Sequence, residues 1–159
     1  MEDAPRQGGY YLKSKTDDYI TPPDLYKKLN EEFDFNFDAC PLHSRVDNLK
    51  GEWGDRTFCN PPYSNTSEWI AKANEEWRKG KLVVLLIPVR TDTVYFHANI
   101  LNQAEIRYFR GRIRFHSTND KQLNRAPFPS MVCVFYPTRI VPKPELPESG
   151  SLIIAKPAN

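Results

Sequence analysis

Apolar residues recur at helical spacing near the start of the chain, where Leu25, Leu29 and Phe33 lie four residues apart. This spacing predicts a helix with one buried face. Thr21 precedes these residues as a suitable N-cap, and Pro22 would occupy the first helical position. We therefore predict that a helix begins at this proline.

Strand-like and helix-like patterns then alternate along the chain. Strands are predicted at residues 35–39, 57–59, 81–89, 106–115 and 131–136, and helices at residues 65–80 and 93–101. The apolar run at residues 81–89 is nearly continuous, as expected for a central parallel strand that is buried on both faces. This order predicts an α/β domain with a mostly parallel sheet, in which the last two strands form an antiparallel hairpin.

Composition supports a single globular domain. The chain has 159 residues, of which 40% are hydrophobic, and this length is sufficient for one proper core. We predict a mobile polar arm at residues 1–9, a folded domain at residues 10–137 and a proline-rich peripheral tail at residues 138–159.

The cysteine, histidine and hydropathy patterns argue against several classes of protein. The three cysteines lack CxxC spacing and the three histidines are scattered, so we predict reduced cysteines and no metal site. No apolar run approaches the roughly 20 residues that a membrane span needs, and no signal peptide opens the chain. We therefore expect the protein in the cytoplasm, without a membrane partner.

Positive charge is concentrated in one segment. The formal net charge is only +2, which permits nucleic-acid binding without demanding it. Arg110, Arg112 and Arg114 fall in one predicted strand and share parity, so they should lie on one face. We predict that they contact phosphates, unless Gly111 introduces a bulge that turns Arg110 away. A solvated strand face is the alternative.

The segment Asn60-Pro61-Pro62-Tyr63 predicts a pocket for a planar amine. It follows a short strand and precedes a helix, where open α/β sheets bind ligands. The prolines fix φ and remove two N–H donors, so the Asn60 amide oxygen and the Pro61 carbonyl can accept the two hydrogens of an amine. Tyr63 adds a flat face on which a base can stack. The alternative is a proline-stiffened turn with an incidental tyrosine.

A second polar strand end, Asp38-Ala39-Cys40-Pro41, should share one crevice with this motif. The Asp38 carboxylate could bind a cationic or hydroxylated ligand, or it could simply cap the next helix. The chain has neither GxGxxG nor GxxxxGK[ST], so dinucleotide and nucleoside triphosphate binding are not predicted.

Seven segments occur in an order that resembles a known family. They are Thr21-Pro22-Pro23, Phe37-Asp38-Ala39-Cys40, Trp53-Gly54, Phe58-Cys59-Asn60-Pro61-Pro62-Tyr63, Leu86-Ile87-Pro88, Gly111-Arg112-Ile113-Arg114-Phe115 and Ala126-Pro127-Phe128-Pro129-Ser130. Together they resemble the phage-type Dam DNA N6-adenine methyltransferases over residues 16–137. The resemblance implies a Rossmann-like class I methyltransferase fold, S-adenosylmethionine as methyl donor, and the N6 amine of adenine in DNA as acceptor.

The resemblance also implies roles for individual residues. The catalytic motif would be formed by Asn60, Pro61, Pro62 and Tyr63. The cofactor would be bound by Thr21, Pro22, Asp38, Ala39, Cys40 and Asn60. The flipped base and the DNA would be bound by Tyr63, Arg110, Arg112, Arg114, Phe115 and His116, and Phe128 could close the pocket from its other side. The target adenine must leave the duplex, or come from a single strand, before its amine reaches the site.

Other functions remain open at this stage. The same fold could methylate an RNA base or a protein glutamine, or the chain could be a degenerate homologue that only binds nucleic acid. The intact motif at residues 60–63 favours an enzyme, and the arginine cluster favours nucleic acid over protein. No large insert is present that would reveal a recognition sequence, and the oligomeric state is not predicted.

Overall fold

The computed structural model describes residues 19–42, 46–117 and 120–156, without the side chains of residues 116–124. The strands in this part of the chain are β1 (Tyr19–Ile20), β2 (Phe37–Asp38), β3 (Arg56–Cys59), β4 (Leu82–Pro88), β5 (Glu105–Tyr108), β6 (Arg114–Ser117), β7 (Asp120–Arg125) and β8 (Ser130–Phe135). The α-helices are α1 (Pro23–Phe33), α2 (Thr66–Arg78) and α3 (Val94–Asn99). This alternation confirms the predicted α/β class.

The main sheet has five strands in the order β2-β3-β4-β8-β5. β2, β3 and β4 pair in parallel, whereas β8 is antiparallel to both of its neighbours, β4 and β5. Within this sheet, two of the described pairings are parallel and two are antiparallel, so the sheet is mixed rather than mostly parallel. Every residue of β8 is buried, as expected for a strand that lies inside the sheet, between β4 and β5.

The predicted strand at residues 106–115 is in fact two strands in two sheets. β5 ends at Tyr108, and β6 belongs to a separate three-stranded sheet with the order β1-β6-β7. Gly111 lies between them with φ +86°, a left-handed conformation that residues with a side chain rarely adopt. The antiparallel pairing of β5 with β8 is present as predicted, but the connection between them contains the β6–β7 hairpin.

The five-stranded sheet is covered on both faces. Val83, Leu85 and Ile87 of β4 pack in a cluster with residues of α2 and α3. Val84 and Leu86 point to the other face, where they pack with residues of α1 and the smaller sheet. All five side chains are buried, which confirms the prediction of a central strand buried on both faces.

The start of α1 differs from the prediction by one residue. The helix begins at Pro23, and its N-cap is Pro22, which provides no side-chain capping bond. Thr21 is therefore not the N-cap. Its hydroxyl instead accepts a hydrogen bond from Asn60, so the residue connects the helix start to the loop that follows β3.

The remaining segments add little to the core. The chain after β8 forms a short 3-10 turn at Pro137–Arg139 and then has no helix or strand through residue 156. The predicted arm at residues 1–9 lies outside the described residues, and the domain boundaries remain a prediction. Across the part of the chain that the structure describes, no helix is long and apolar enough to cross a membrane.

Candidate active site

The motif at residues 60–63 lies in the turn between β3 and α2. Asn60 directly follows β3, and a 3-10 turn begins at Tyr63 and leads into α2 at Thr66. The Thr66 hydroxyl donates to the Pro62 carbonyl over 3.1 Å. Pro62 itself has the extended conformation expected before a helix, with φ −59° and ψ 140°. The sequence thus correctly predicts a strand–loop–helix context for the motif.

The Asn60 side-chain amide is held in one orientation. Its Nδ2 group donates to the Tyr19 carbonyl over 2.9 Å and to the Thr21 hydroxyl over 3.1 Å. Its Oδ1 atom is buried and accepts no hydrogen bond from any group that the structure describes. An amide oxygen normally has partners when it is buried. The Asn60 oxygen is therefore an oriented acceptor that no described group uses.

Among the described residues, three aromatic rings lie close to Tyr63. The Tyr19 ring lies 4.6 Å away between centroids and is tilted by 41°, and the Phe128 ring contacts Tyr63 edge-on at 4.8 Å. Phe115 is farther, at 6.4 Å, and is also edge-on. Burial, followed by the neighbouring Tyr19, raises the pKa of Tyr63 well above its ordinary value. The Tyr63 hydroxyl is therefore held in its neutral form.

A cavity of about 300 Å³ opens between β1, the start of α1 and the ends of β2 and β3. Its walls include Thr21, Asp38, Cys40 and Asn60, which brings together four of the residues predicted to bind the cofactor. Tyr26 lines it as well, with its ring 5.2 Å from the Phe58 ring in an edge-on contact. The cavity is therefore adjacent to the Asn60 amide and has both polar and flat aromatic walls.

Asp38 provides the acidic group of this cavity. Its Oδ1 atom accepts a hydrogen bond from the Cys40 backbone N–H over 3.0 Å. Burial raises the pKa of Asp38, and the hydrogen bond from Cys40 opposes that rise. The residue nevertheless remains exposed at the rim, where a ligand could reach the carboxyl.

Two of the residues predicted to bind the cofactor, Pro22 and Ala39, are not among the residues that line the cavity. Ala39 is 1% exposed and packs in the core, and its carbonyl accepts a hydrogen bond from Asn48 over 2.8 Å. Pro22 forms the N-cap of α1. The Cys40 thiol lies 3.6 Å from the Cys59 thiol, and this contact joins the ends of β2 and β3 below the cavity.

The arginines do not share one strand face as predicted. Arg110 and Arg112 lie in the connection around Gly111, and Arg114 starts β6. The three side chains are nevertheless exposed, and Arg112 donates to the Ala126 carbonyl over 3.3 Å. The bend at Gly111 breaks the parity on which the prediction depended, because the residues before and after it belong to different sheets.

Two further arginines in this region have contrasting environments. Arg107 binds Glu32 and Glu105 at 2.6 and 2.7 Å, so it stabilises the packing of α1 on β5. Arg125 is exposed and lies directly opposite Arg114 in the β6–β7 ladder. Like charges in this position repel each other, which favours an anion between them.

The two remaining predicted site residues, Phe115 and His116, lie beside β1, which lines the cavity next to Asn60. Phe115 is buried and contacts Tyr19 edge-on at 5.5 Å. The His116 backbone pairs with Ile20, and its side chain is outside what the structure describes. Among the described residues, no group of three or more histidine, cysteine, aspartate or glutamate side chains could hold a metal ion.

Sequence reasoning missed Tyr19. Its carbonyl orients Asn60 and its ring contacts Tyr63, although 41 residues separate it from Asn60. Its position depends on the pairing of β1 with β6, where Tyr19 lies opposite Ser117. No local pattern around a two-residue strand predicts so distant a partner.

The fold and the position of the pocket are typical of α/β proteins that bind a ligand at one edge of the sheet. An α/β sheet with a polar loop and a cavity at the carboxyl ends of its parallel strands is the usual arrangement for ligand binding in open sheets, and it is consistent with a methyltransferase fold. The family model described as DNA N-6-adenine-methyltransferase (Dam) matches residues 9–149. The chain therefore belongs to the Dam family, which confirms the resemblance noted from its motifs.

Membership of this family implies, in general terms, DNA adenine-N6 methyltransferase activity with DNA as substrate. Neither the search of curated proteins nor the search of solved structures finds a match to this chain.

Proposed function

We propose that this protein transfers a methyl group from S-adenosylmethionine to the N6 amine of a flipped-out adenine in DNA. The observation that carries the proposal is the Asn60 amide, whose buried Oδ1 accepts no hydrogen bond from the described residues. An exocyclic amine supplies the missing donor. Leaving such an acceptor unpaired costs about 1–3 kcal/mol, and a bound amine removes that cost.

Two acceptors in the loop would orient the amine. The Asn60 Oδ1 accepts one N6 hydrogen, and the Pro61 carbonyl accepts the other. Both hydrogen bonds pull the nitrogen towards tetrahedral geometry and direct its lone pair away from the ring plane. Positioning of this kind can supply roughly 7–11 kcal/mol of rate acceleration. No strong base is required beforehand, because the amine becomes acidic only after methylation.

The cavity beside Asn60 has suitable groups for the cofactor. When bound, S-adenosylmethionine would supply an electrophilic methyl group on its sulfonium, with the neutral thioether as the leaving group when an amine attacks the methyl carbon. At about 300 Å³, the cavity is at the lower end of the range for ligand sites, about 300–1,000 Å³. The Asp38 carboxylate would bind cationic or hydroxyl groups, and Tyr26 and Phe58 would contact a ring. Thr21 and Cys40 complete the wall.

The base would enter among the rings around Tyr63. A centroid distance of 4.6 Å between Tyr19 and Tyr63 is direct ring contact, so no third ring fits between them. An adenine that stacks on this side of Tyr63 must displace the Tyr19 ring. Phe115 and Phe128 are buried and would form the fixed part of the pocket.

The exposed arginines near β6 and β7 would bind the DNA backbone. Arg114 and Arg125 lie opposite each other, and a phosphate between them would relieve their mutual repulsion. Such contacts position the strand and carry no sequence information. They support nucleic acid over protein as the macromolecular substrate.

The test is methyl transfer from tritiated S-adenosylmethionine to DNA, RNA and total protein, followed by mass spectrometry of the product. We expect N6-methyladenine in DNA. Asn60→Ala should lower turnover more than tenfold, equivalent to about 1.4 kcal/mol of barrier. Label that appears only in RNA or in protein glutamine would transfer the proposal to that substrate, and no label in any of them would overturn it.

Asn30→Ala is the matched control. Its Oδ1 accepts from the Phe35 backbone N–H over 2.8 Å, so the substitution removes an amide that has a structural partner. We expect a loss of about 1 kcal/mol of stability with turnover unchanged. If both variants lose turnover equally, Asn60 has no special role.

A further inference from the structure

The orientation of the Asn60 amide depends on a segment outside its own motif. We propose that Thr21 is a positioning residue that acts through Asn60: its hydroxyl holds Nδ2 so that Oδ1 points at the substrate amine. This inference rests on the proposed function above. It differs from the cofactor-binding role that the family resemblance implies for Thr21, and from the helix cap that the sequence pattern predicts.

An asparagine amide has two orientations of nearly equal shape, which present opposite hydrogen-bonding groups. In one orientation Asn60 offers an acceptor to the amine, and in the other it offers two donors, which an amine cannot satisfy. The Tyr19 carbonyl can only accept, so its bond from Nδ2 at 2.9 Å selects the first. The Thr21 hydroxyl can donate or accept; by accepting from Nδ2 over 3.1 Å it gives this orientation a second hydrogen bond and limits rotation of the amide. The carbonyl belongs to the backbone, so Thr21 is the partner that a substitution can remove.

The surroundings of Thr21 make it a rigid support. β1, immediately before it, is paired with β6 through Tyr19 and Ile20. Pro22 follows it, and a residue before proline is restricted to extended conformations. Threonine is also β-branched, which limits its χ1 rotamers. The hydroxyl therefore has little freedom, as a group that orients another side chain requires.

Thr21 does not cap α1, so its role in orienting Asn60 can be tested without disturbing the helix. Pro22 is the N-cap of α1, and no side chain caps that end of the helix among the described residues. Removing the Thr21 hydroxyl should therefore leave the start of α1 unchanged. The residue does line the cavity, so a cofactor contact is the competing explanation and the experiment must separate the two.

The experiment compares Thr21→Val with Thr21→Ser. The first substitution replaces the hydroxyl with a methyl group of similar size, and the second retains the hydroxyl. We expect kcat at saturating DNA and S-adenosylmethionine to fall about 5- to 10-fold in Thr21→Val, since one hydrogen bond on the reacting geometry is removed. Thr21→Ser should remain within about twofold of the wild type, and the calorimetric Kd for S-adenosylmethionine should change less than about twofold in both.

Thr57→Val is the matched control at the other end of β3. Thr57 is buried, and its hydroxyl donates to the Gly54 carbonyl over 3.0 Å, so the chemical change is the same but distant from Asn60. We expect this variant to lose stability and retain kcat. Should Thr21→Val fail to fold, Thr21→Ala removes the same hydroxyl with a smaller side chain and is judged by the same kcat criterion.

A readout without turnover tests the orientation itself. In nitrogen-15 NMR, the Asn60 side-chain NH2 signal can be assigned because Asn60→Asp deletes it. Both hydrogens should exchange slowly with solvent in the wild type, because each has an acceptor. In Thr21→Val the hydrogen that bonds to Thr21 should lose its protection, whereas Thr21→Ser should retain it. Unchanged protection would overturn the proposal.

The kinetic outcomes separate the two proposals. If the wild type methylates DNA and Thr21→Val has the same kcat, the positioning role is wrong. A raised Kd for S-adenosylmethionine with kcat unchanged would instead assign Thr21 to the cofactor site. If the wild type transfers no methyl group, the proposed function fails, and the exchange measurement still decides whether Thr21 orients Asn60.

Discussion

Buried polar groups lie near both ends of β3 and β4, but they differ in their hydrogen-bond partners. At the amino ends, the Glu76 carboxylate is fully buried, but it accepts bonds from Lys81, Lys79 and Lys72 at 2.6, 2.7 and 2.9 Å and from the Trp53 N–H at 3.1 Å. At the carboxyl ends, the Asn60 Oδ1 is buried with no partner among the described groups.

The two groups differ in whether protein partners compensate for their burial. A buried charge is tolerated only when several partners compensate for its lost hydration, and Glu76 has them. An unpaired buried acceptor lowers stability, and under the proposed function the substrate amine would pair with Asn60. Burial alone therefore does not distinguish the two groups, whereas the state of their hydrogen bonds does.

The positively charged side chains near the two ends also differ in whether they have partners among the described side chains. Lys81 is 10% exposed and pairs with Glu76 and Glu52. Arg114 and Arg125 are exposed and face each other across β6 and β7, without an ion pair to any carboxylate whose side chain the structure describes. Lys81 is thus neutralised within the protein, and under the proposed function the two arginines would instead bind phosphates of the DNA.

The largest expected effect is at Glu76. Glu76→Gln removes the charge that compensates three lysines, and breaking a buried ion pair in this way costs about 3–5 kcal/mol. The measurement is urea unfolding of both proteins at neutral pH. Glu75→Gln is the control, because Glu75 contacts Lys72 and Lys79 at 3.6 and 3.8 Å but is 62% exposed, and its loss should cost below about 1 kcal/mol. Equal losses would mean that burial of Glu76 adds nothing.

The contribution of the Glu76 carboxylate should also appear in the pH dependence of the free energy of unfolding. Burial alone would raise the pKa of Glu76, but hydrogen bonds from Lys79, Lys81 and Lys72 outweigh it and hold the pKa well below its ordinary value of 4.5. A depressed pKa contributes stability that is complete above the ordinary value and is lost as the pH falls towards the folded-state pKa. The stability difference between wild type and Glu76→Gln should therefore narrow below pH 4.5; a constant difference from neutral to acidic pH would contradict this account.

A smaller effect is expected from Arg114 and Arg125. Arg114→Ala/Arg125→Ala should weaken binding to unrelated DNA sequences about equally, and it should flatten the salt dependence by about one unit of slope for each phosphate that the variant no longer binds. Fluorescence anisotropy at several salt concentrations measures both quantities. The control is Arg56→Ala at the amino end of β3, where Arg56 pairs with Asp34 at 3.6 Å. If the control flattens the slope as much as the double variant does, the DNA does not lie along β6 and β7.

The smallest stability change is expected at Asn60. Asn60→Ala deletes the unpaired Oδ1 together with the two bonds from Nδ2. The gain and the loss partly cancel, so the free energy of unfolding should change by less than about 1–1.5 kcal/mol. Urea unfolding under the conditions used for Glu76→Gln is the measurement. A loss as large as that of Glu76→Gln would show that Asn60 is mainly structural.

The sequence determined those features that depend on spacing along the chain. The apolar run of β4, the buried face of α1 and the strand–loop–helix position of the motif at Asn60 all follow from local periodicity and from proline chemistry. The bonds of Glu76 to Lys72 and Lys79 are also local, since these residues are four and three positions away in or beside α2.

Contacts between residues that are distant in the sequence follow from the packing of the whole domain. The place of β8 inside the sheet, the bend at Gly111 that separates β5 from β6, and the contact of Tyr19 and Thr21 with Asn60 across about 40 residues have no local signal. A short strand such as β1 has too few residues to specify its partner, so its position depends on the packing of the whole domain. The residue types that predict a methyl-transfer site are thus visible in the sequence, whereas the orientation of its amide acceptor is set by the fold.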